Sequence, residues 1–149
     1  MAVRAAVALT GDTGRTMTRP VRPPEGSSTV SELNHTIVWA RDKKASAEFI
    51  AGILGIPVGA PAGPFVPVRL GNSVTLDYAD TNAVRGQHYA FLVSDDEFDA
   101  AFTRIRTAGI GYWADPLHQQ EGEINHRSGG RGVYFEDPNG HNMELLTQA

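Results

Sequence analysis

The chain has 149 residues, 41% of them apolar and 20% charged, with a formal charge of −4 and no cysteine. That length holds one domain with an ordinary core, or two small subdomains sharing one. The acidic balance gives no electrostatic reason to bind nucleic acid or an anionic membrane, and no apolar run approaches the roughly 18 residues of a membrane span. Without cysteine there are no disulfides, no thiolate metal sites and no thiol nucleophile; a cytoplasmic location is expected.

Residues 1–30 differ from the rest. They carry Arg4, Arg15, Arg19 and Arg22 but no Lys, a proline-rich run from Pro20 to Pro24, and Gly26-Ser27-Ser28 at their end. Their one apolar patch is shorter than the roughly 7–15 residues of a signal-peptide core. An irregular extension is expected over 1–30, ahead of a single domain over 31–149. That domain holds 9 Lys/Arg against 15 Asp/Glu, hence a formal −6.

Along the domain the pattern repeats. A strand is expected over 33–40, a helix over 42–54 closing at Gly55, a weaker strand near 57–59, and strands over 65–70 and 73–79 joined by Gly71-Asn72. The order then recurs: a strand over 87–94, a helix over 95–108 closing at Gly109, a weaker strand near 112–115, and strands over 131–136 and 142–147. Asp137-Pro138-Asn139-Gly140 supplies the last turn. Each first strand opens on a histidine, His35 or His88, with the closing glycine 20 or 21 residues later. The reading is two βαβββ modules, over about 31–80 and 85–149. Phe98, Ala101, Phe102 and Ile105 form the buried stripe of the second helix, and Ser94 with Glu97 has the form of a capping box.

Side chains alternate across a strand, so parity assigns faces. Tyr89, Phe91 and Val93 suit packing against a helix, which leaves His88 on the opposite face. Glu144 and Asp77 fall on that same face of their own strands, and the repeat pairs them with one another as it pairs His35 with His88. The parity of His35 is less clear, because it shares its face with Ile37 and Trp39. Taken singly, a histidine at a strand start is an ordinary polar end group. Taken together, two histidines and two acids at matching places form a ligand set for a divalent metal.

The same residues carry a resemblance. Residues 130–145, Gly130-Arg131-Gly132-Val133-Tyr134-Phe135-Glu136-Asp137-Pro138-Asn139-Gly140-His141-Asn142-Met143-Glu144-Leu145, together with Leu33-Asn34-His35 and His88, resemble the vicinal oxygen chelate superfamily, which includes glyoxalases, bleomycin-resistance proteins and dioxygenases. The resemblance spans 33–147. It implies an α+β fold in which the two modules form a half-open eight-stranded barrel around one divalent ion (Fe2+, Mn2+, Zn2+ or Ni2+). His35, His88 and Glu144 would be the ligands, and Asp77 a possible fourth, where other members place a glutamate. Without Asp77 the site is a His/His/Glu triad with open positions, as in extradiol dioxygenases and fosfomycin-modifying transferases.

Further expectations attach to the surroundings. Residues 117–131 form a long polar loop suited to a lid. In it His126 and His118 are candidate proton donors or acceptors, so that Glu144 and His126 are the catalytic candidates. Tyr134 and Arg69 are candidates for orienting an anionic substrate. His141, of opposite parity to Glu144, is not expected to be a ligand, and Trp39 and Trp113 are expected in the core or at an interface. The function expected is a metal-dependent enzyme acting on a small oxygenated substrate, by isomerase or lyase chemistry of the glyoxalase kind or by ring cleavage with O2. The alternative is a metal-free sequestering protein of the bleomycin-resistance type. A homodimer that buries strand edges is expected.

Overall fold

Alternating strands and helices with short connections give two sheets, each backed by a helix. The computed structural model describes residues 6–9, 17–20 and 31–149. The chain divides into two units, Met1–Glu32 and Leu33–Ala149. In the first, β1 (Ala6–Leu9) and β2 (Met17–Pro20) pair antiparallel, with Ala6 opposite Pro20. The rest of the extension expected to be irregular lies outside the described residues.

The second unit holds both modules. β3 (His35–Ala40), α1 (Lys43–Leu54), β4 (Val66–Arg69) and β5 (Thr75–Asp80) form module 1, with sheet order β3-β5-β4. β6 (His88–Leu92), α2 (Asp95–Thr107), β7 (Tyr112–Trp113), β8 (Gly132–Glu136) and β9 (Asn142–Leu146) form module 2, with sheet order β6-β9-β8-β7. In each module the first strand lies parallel to the last and every other pairing is antiparallel. A parallel pair needs a crossover, and the helix supplies it.

The strand expected near 57–59 does not form, so the second unit has seven strands rather than eight. Gly59 N–H does donate to Pro67 O at 2.8 Å. Pro57, Pro61 and Pro64 around it offer no N–H, however, and a ladder cannot propagate through them.

Both helices start and stop as their sequences dictate. Asp42 caps α1 by accepting from Ala45 N, and Gly55 closes it in the left-handed region at φ 72°. α2 carries the complete capping box, with Ser94 accepting from Glu97 N and Glu97 reaching back to Ser94 N. Apolar residues of one strand parity, including Val38, Val68, Leu76, Tyr78, Phe91, Val133, Phe135, Met143 and Leu145, join Ala47, Ile50, Phe98, Ala101 and Ile105 in one buried cluster. The opposite sheet faces are left uncovered by helices, and the chemistry lies there. α1 packs on α2, and the turn after β8 bonds across to module 1, Arg41 N donating to Asn139 Oδ1 at 2.9 Å.

Candidate metal centre

On module 2 the open face can be read from the ladder, because directly paired residues share a face. Ala90, Glu144, Tyr134 and Trp113 form one row across β6, β9, β8 and β7. His88, Asn142 and Glu136 form the next. His88 Nε2 lies 3.0 Å from Glu144 Oε2. Glu144 is mostly buried while His88 is half exposed, at 14% and 46% of the side chain. The pair is thus seated at one end and open at the other. Tyr134, 4% exposed, lies directly across from Glu144 with its ring 5.9 Å from that of His88. Its hydroxyl is pushed up to about 12, first by burial and then by the Glu144 carboxylate, which favours the neutral phenol.

The 117–131 segment is a built structure rather than a free lid. Asp115 accepts from Leu117 N at 2.9 Å, Gln119 N at 2.9 Å and Gln120 N at 2.7 Å. Burial alone would raise its carboxyl, but these three bonds, with His118 nearby, hold it below the usual carboxylate range. His118 sits in the left-handed region at φ 58°, a strained conformation for a residue with a Cβ. Its ring stacks on Trp113 at 3.9 Å and 8°, and its Nε2 lies 3.2 Å from Asn142 Oδ1. Trp113 is therefore part of the wall beside the candidate centre, not an ordinary core residue. Asp115 and Asn142 were not singled out from the sequence. The one available signal was Asp115-Pro116, a turn-initiating pair.

On module 1 the corresponding pair does not form. His35 is exposed, and its Nδ1 lies 2.9 Å from the Oδ1 of its neighbour Asn34. Asp77 lies between Ile37 and Pro67 in the ladder. Among the described residues no three His, Asp or Glu side chains lie together as a metal site would require. Within the chain, His35, His88 and Glu144, the three expected ligands, do not lie together. His88 and Glu144 meet, whereas His35 and Asp77 stand on the other sheet. The reason is topological: β3 and β6 belong to separate sheets and share no hydrogen bonds. Arg69 is exposed on β4, also on module 1. His126, the other catalytic candidate, lines a separate cleft with Asp95, Arg131 and Gln148. Trp39, expected to be covered, is 48% exposed on the open face of β3.

The donor set still suits a divalent ion. Two ligands bonded at about 2.1 Å and about 90° to each other stand about 3.0 Å apart, the separation of the His88 and Glu144 donor atoms. A neutral imidazole and a carboxylate are the donor types such ions take. Beside His88, between β3 and β6, is a cavity of about 510 Å³ lined by residues that include Ile37, Trp39, Arg85 and His88.

No family model matches the chain. Among solved structures, the protein named oxidase ChaP-H2 is 62% identical with a TM-score of 0.79, the match covering 80% of this chain and 94% of that one. A glyoxalase/dioxygenase from Nostoc punctiforme, 23% identical, superposes with a TM-score of 0.60 over 85% of this chain and 97% of its own. Among characterised sequences, the glutathione transferase FosA of Serratia marcescens is 27% identical over 123 residues, 78% of this chain and 80% of that enzyme. The chain belongs to the vicinal oxygen chelate superfamily. Two of these relatives, the oxidase and the glutathione transferase, are enzymes by name, which supports an enzyme of that superfamily here.

Proposed function

We propose that the protein is a metal-dependent oxidase acting on a small oxygenated molecule, and that it works as a homodimer. The observation that carries the metal reading is the 3.0 Å approach of His88 to Glu144 on an open face. Similarity to a protein named an oxidase favours oxidation over isomerase or lyase chemistry. A His/His/carboxylate set leaves coordination positions free, the arrangement used by non-haem iron oxygenases. A divalent ion held there, Fe2+ in this reading, would supply Lewis acidity and electrons for reaction with O2.

The chain's own residues do the rest. Glu144 brings the negative charge that holds the cation, and Tyr134 stays protonated beside it as a neutral donor. The Trp113–His118 stack forms a wall against which a flat substrate can lie. His118 is within reach to accept or return a proton there, while Asn142 holds its ring in place.

The homodimer supplies what one chain lacks. His35 shares the open face of β3 with Ile37 and Trp39, 39% and 48% exposed, while Leu92 is 67% exposed on the open face of β6. Apolar side chains lined up on uncovered sheet faces are a liability that a second copy removes. Seating the β3 face of one copy over the β6–β9 face of another would bring His35 to His88 and Glu144.

Protein purified without chelator and loaded with Fe2+ under anaerobic conditions is expected to hold close to one ion per chain and to consume O2. Less than about 0.1 ion per chain after reconstitution overturns the enzyme reading in favour of sequestration. Mixing His35→Ala with Glu144→Ala chains tests the dimer. Each alone is expected to bind poorly, and the mixture to regain metal at intact mixed sites. No recovery on mixing overturns the shared site.

A further inference from the structure

His141 is fully buried, at 0% exposure, yet it is not on the open face and takes no part in the candidate centre. Its surroundings are unusually complete. The backbone N–H of Gln87 donates to its Nδ1 at 3.0 Å, and its Nε2 lies 2.8 Å from the carbonyl oxygen of Trp39. A backbone N–H can only donate and a carbonyl can only accept, so Nδ1 carries the lone pair and Nε2 the proton. The ring is thereby fixed as one neutral tautomer. The backbone N–H of His141 donates to Asp137 Oδ1 at 2.8 Å, and the Tyr89 ring meets the imidazole edge-on at 5.5 Å and 85°.

Those contacts fall on either side of one residue. Gln87 immediately precedes His88 and Tyr89 immediately follows it. Gln87 is held on its other side as well, its carbonyl accepting from Asn142 N at 2.8 Å. The far nitrogen of the same ring grips Trp39 on β3, the strand that begins at His35. We propose that His141 is a positioning residue for the metal centre: through its bond to Gln87 it fixes the backbone on which His88 stands, while its bond to Trp39 anchors the ring without acting on the ligands. The proposal rests on the metal reading above, since it concerns how the ligands of that centre are held. Partners outside the ligand shell that orient a ligand are typically worth about 10- to 100-fold in metal affinity.

Two substitutions divide the ring's functions. His141→Asn retains an acceptor where Nδ1 stands, so it keeps the bond to Gln87 and loses the one to Trp39. His141→Gln carries its amide out to the place of Nε2, so it keeps the donor to Trp39 and leaves Gln87 N–H without an acceptor. Each loses one buried hydrogen bond, and similar falls in Tm are expected for the metal-free proteins. Co2+ is the probe, because its visible absorption reports both affinity and coordination. Titration of the full-length chains is expected to show about 10-fold weaker Co2+ binding, with altered bands, in His141→Gln. In His141→Asn, affinity within about 2-fold of wild type is expected. Equal Co2+ affinities in the two variants, alongside falls in Tm, overturn the positioning role and leave His141 purely structural. A wild-type chain that takes up no Co2+ overturns the metal reading itself, and the positioning role with it.

Discussion

The two modules share a register and differ in what they do with it. In module 2, His88 pairs with Asn142 and Ala90 with Glu144; in module 1, His35 pairs with Thr75 and Ile37 with Asp77. The matching places hold a histidine and, two residues along the partner strand, an acid. Only in module 2 do they touch. Glu144 is one methylene longer than Asp77. Its ladder partner Ala90 leaves room for it to swing towards His88, where Ile37 fills the same space beside Asp77. On the other side Glu144 has the phenol of Tyr134, where Asp77 has Pro67. A ligand pair thus requires more than two residues at the right spacing. It also requires a small neighbour to turn past and a polar one to lie against.

The largest expected effect tests this contrast at the acids. Glu144→Ala is expected to abolish measurable metal uptake, a loss of more than 100-fold in affinity, because it removes a ligand outright. Asp77→Ala is expected to change uptake by less than about 2-fold. If metal analysis finds the two variants equally impaired, the modules are not functionally distinct and Asp77 is a fourth ligand.

A second contrast lies at the helix starts. α1 is capped by one side-chain bond from Asp42, whereas α2 has a reciprocal box between Ser94 and Glu97. Bonds from the Ser94 backbone N–H and hydroxyl hold the Glu97 carboxyl below its usual range. A carboxyl lowered in the folded state contributes stability that is present at neutral pH and lost as pH falls through its folded value. Ser94→Ala is therefore expected to lower stability by about 1 kcal/mol at neutral pH. That is a fall in Tm of roughly 3 °C for a chain of this size, and the gap to wild type should narrow in acid. A gap independent of pH in thermal scans would assign the whole effect to the cap and none to the box.

The smallest effect separates the two cores. Tyr78 of module 1 occupies the place that Leu145 holds in module 2, and among the described residues its buried hydroxyl has no hydrogen-bond partner. Burial, with the nearby Asp137 charge, pushes that hydroxyl far up. An unpaired buried hydroxyl is a net cost, so Tyr78→Phe is expected to leave Tm unchanged or raise it by a few degrees. A clear fall in calorimetry would mean that the hydroxyl has a partner in solution.

Much of this was legible in the residues. The repeat, both helices with their caps, the Asp137–Gly140 turn and the facing of His88 and Glu144 follow from alternation, capping chemistry and turn residues. All of these act within a few positions along the chain. What only the tertiary structure decided lies between distant segments. Three prolines prevented a strand near 57–59, and His126 went to a cleft of its own. His118 was drawn onto Trp113 by Asp115 and Asn142, and His141, set aside as no ligand, became the bond between the two histidine-bearing strands. The separation of His35 from His88 belongs here as well. Parity fixes which face of its own sheet a side chain takes, but the relation of one sheet to another is set by helix packing and by a few buried hydrogen bonds, which no local pattern encodes.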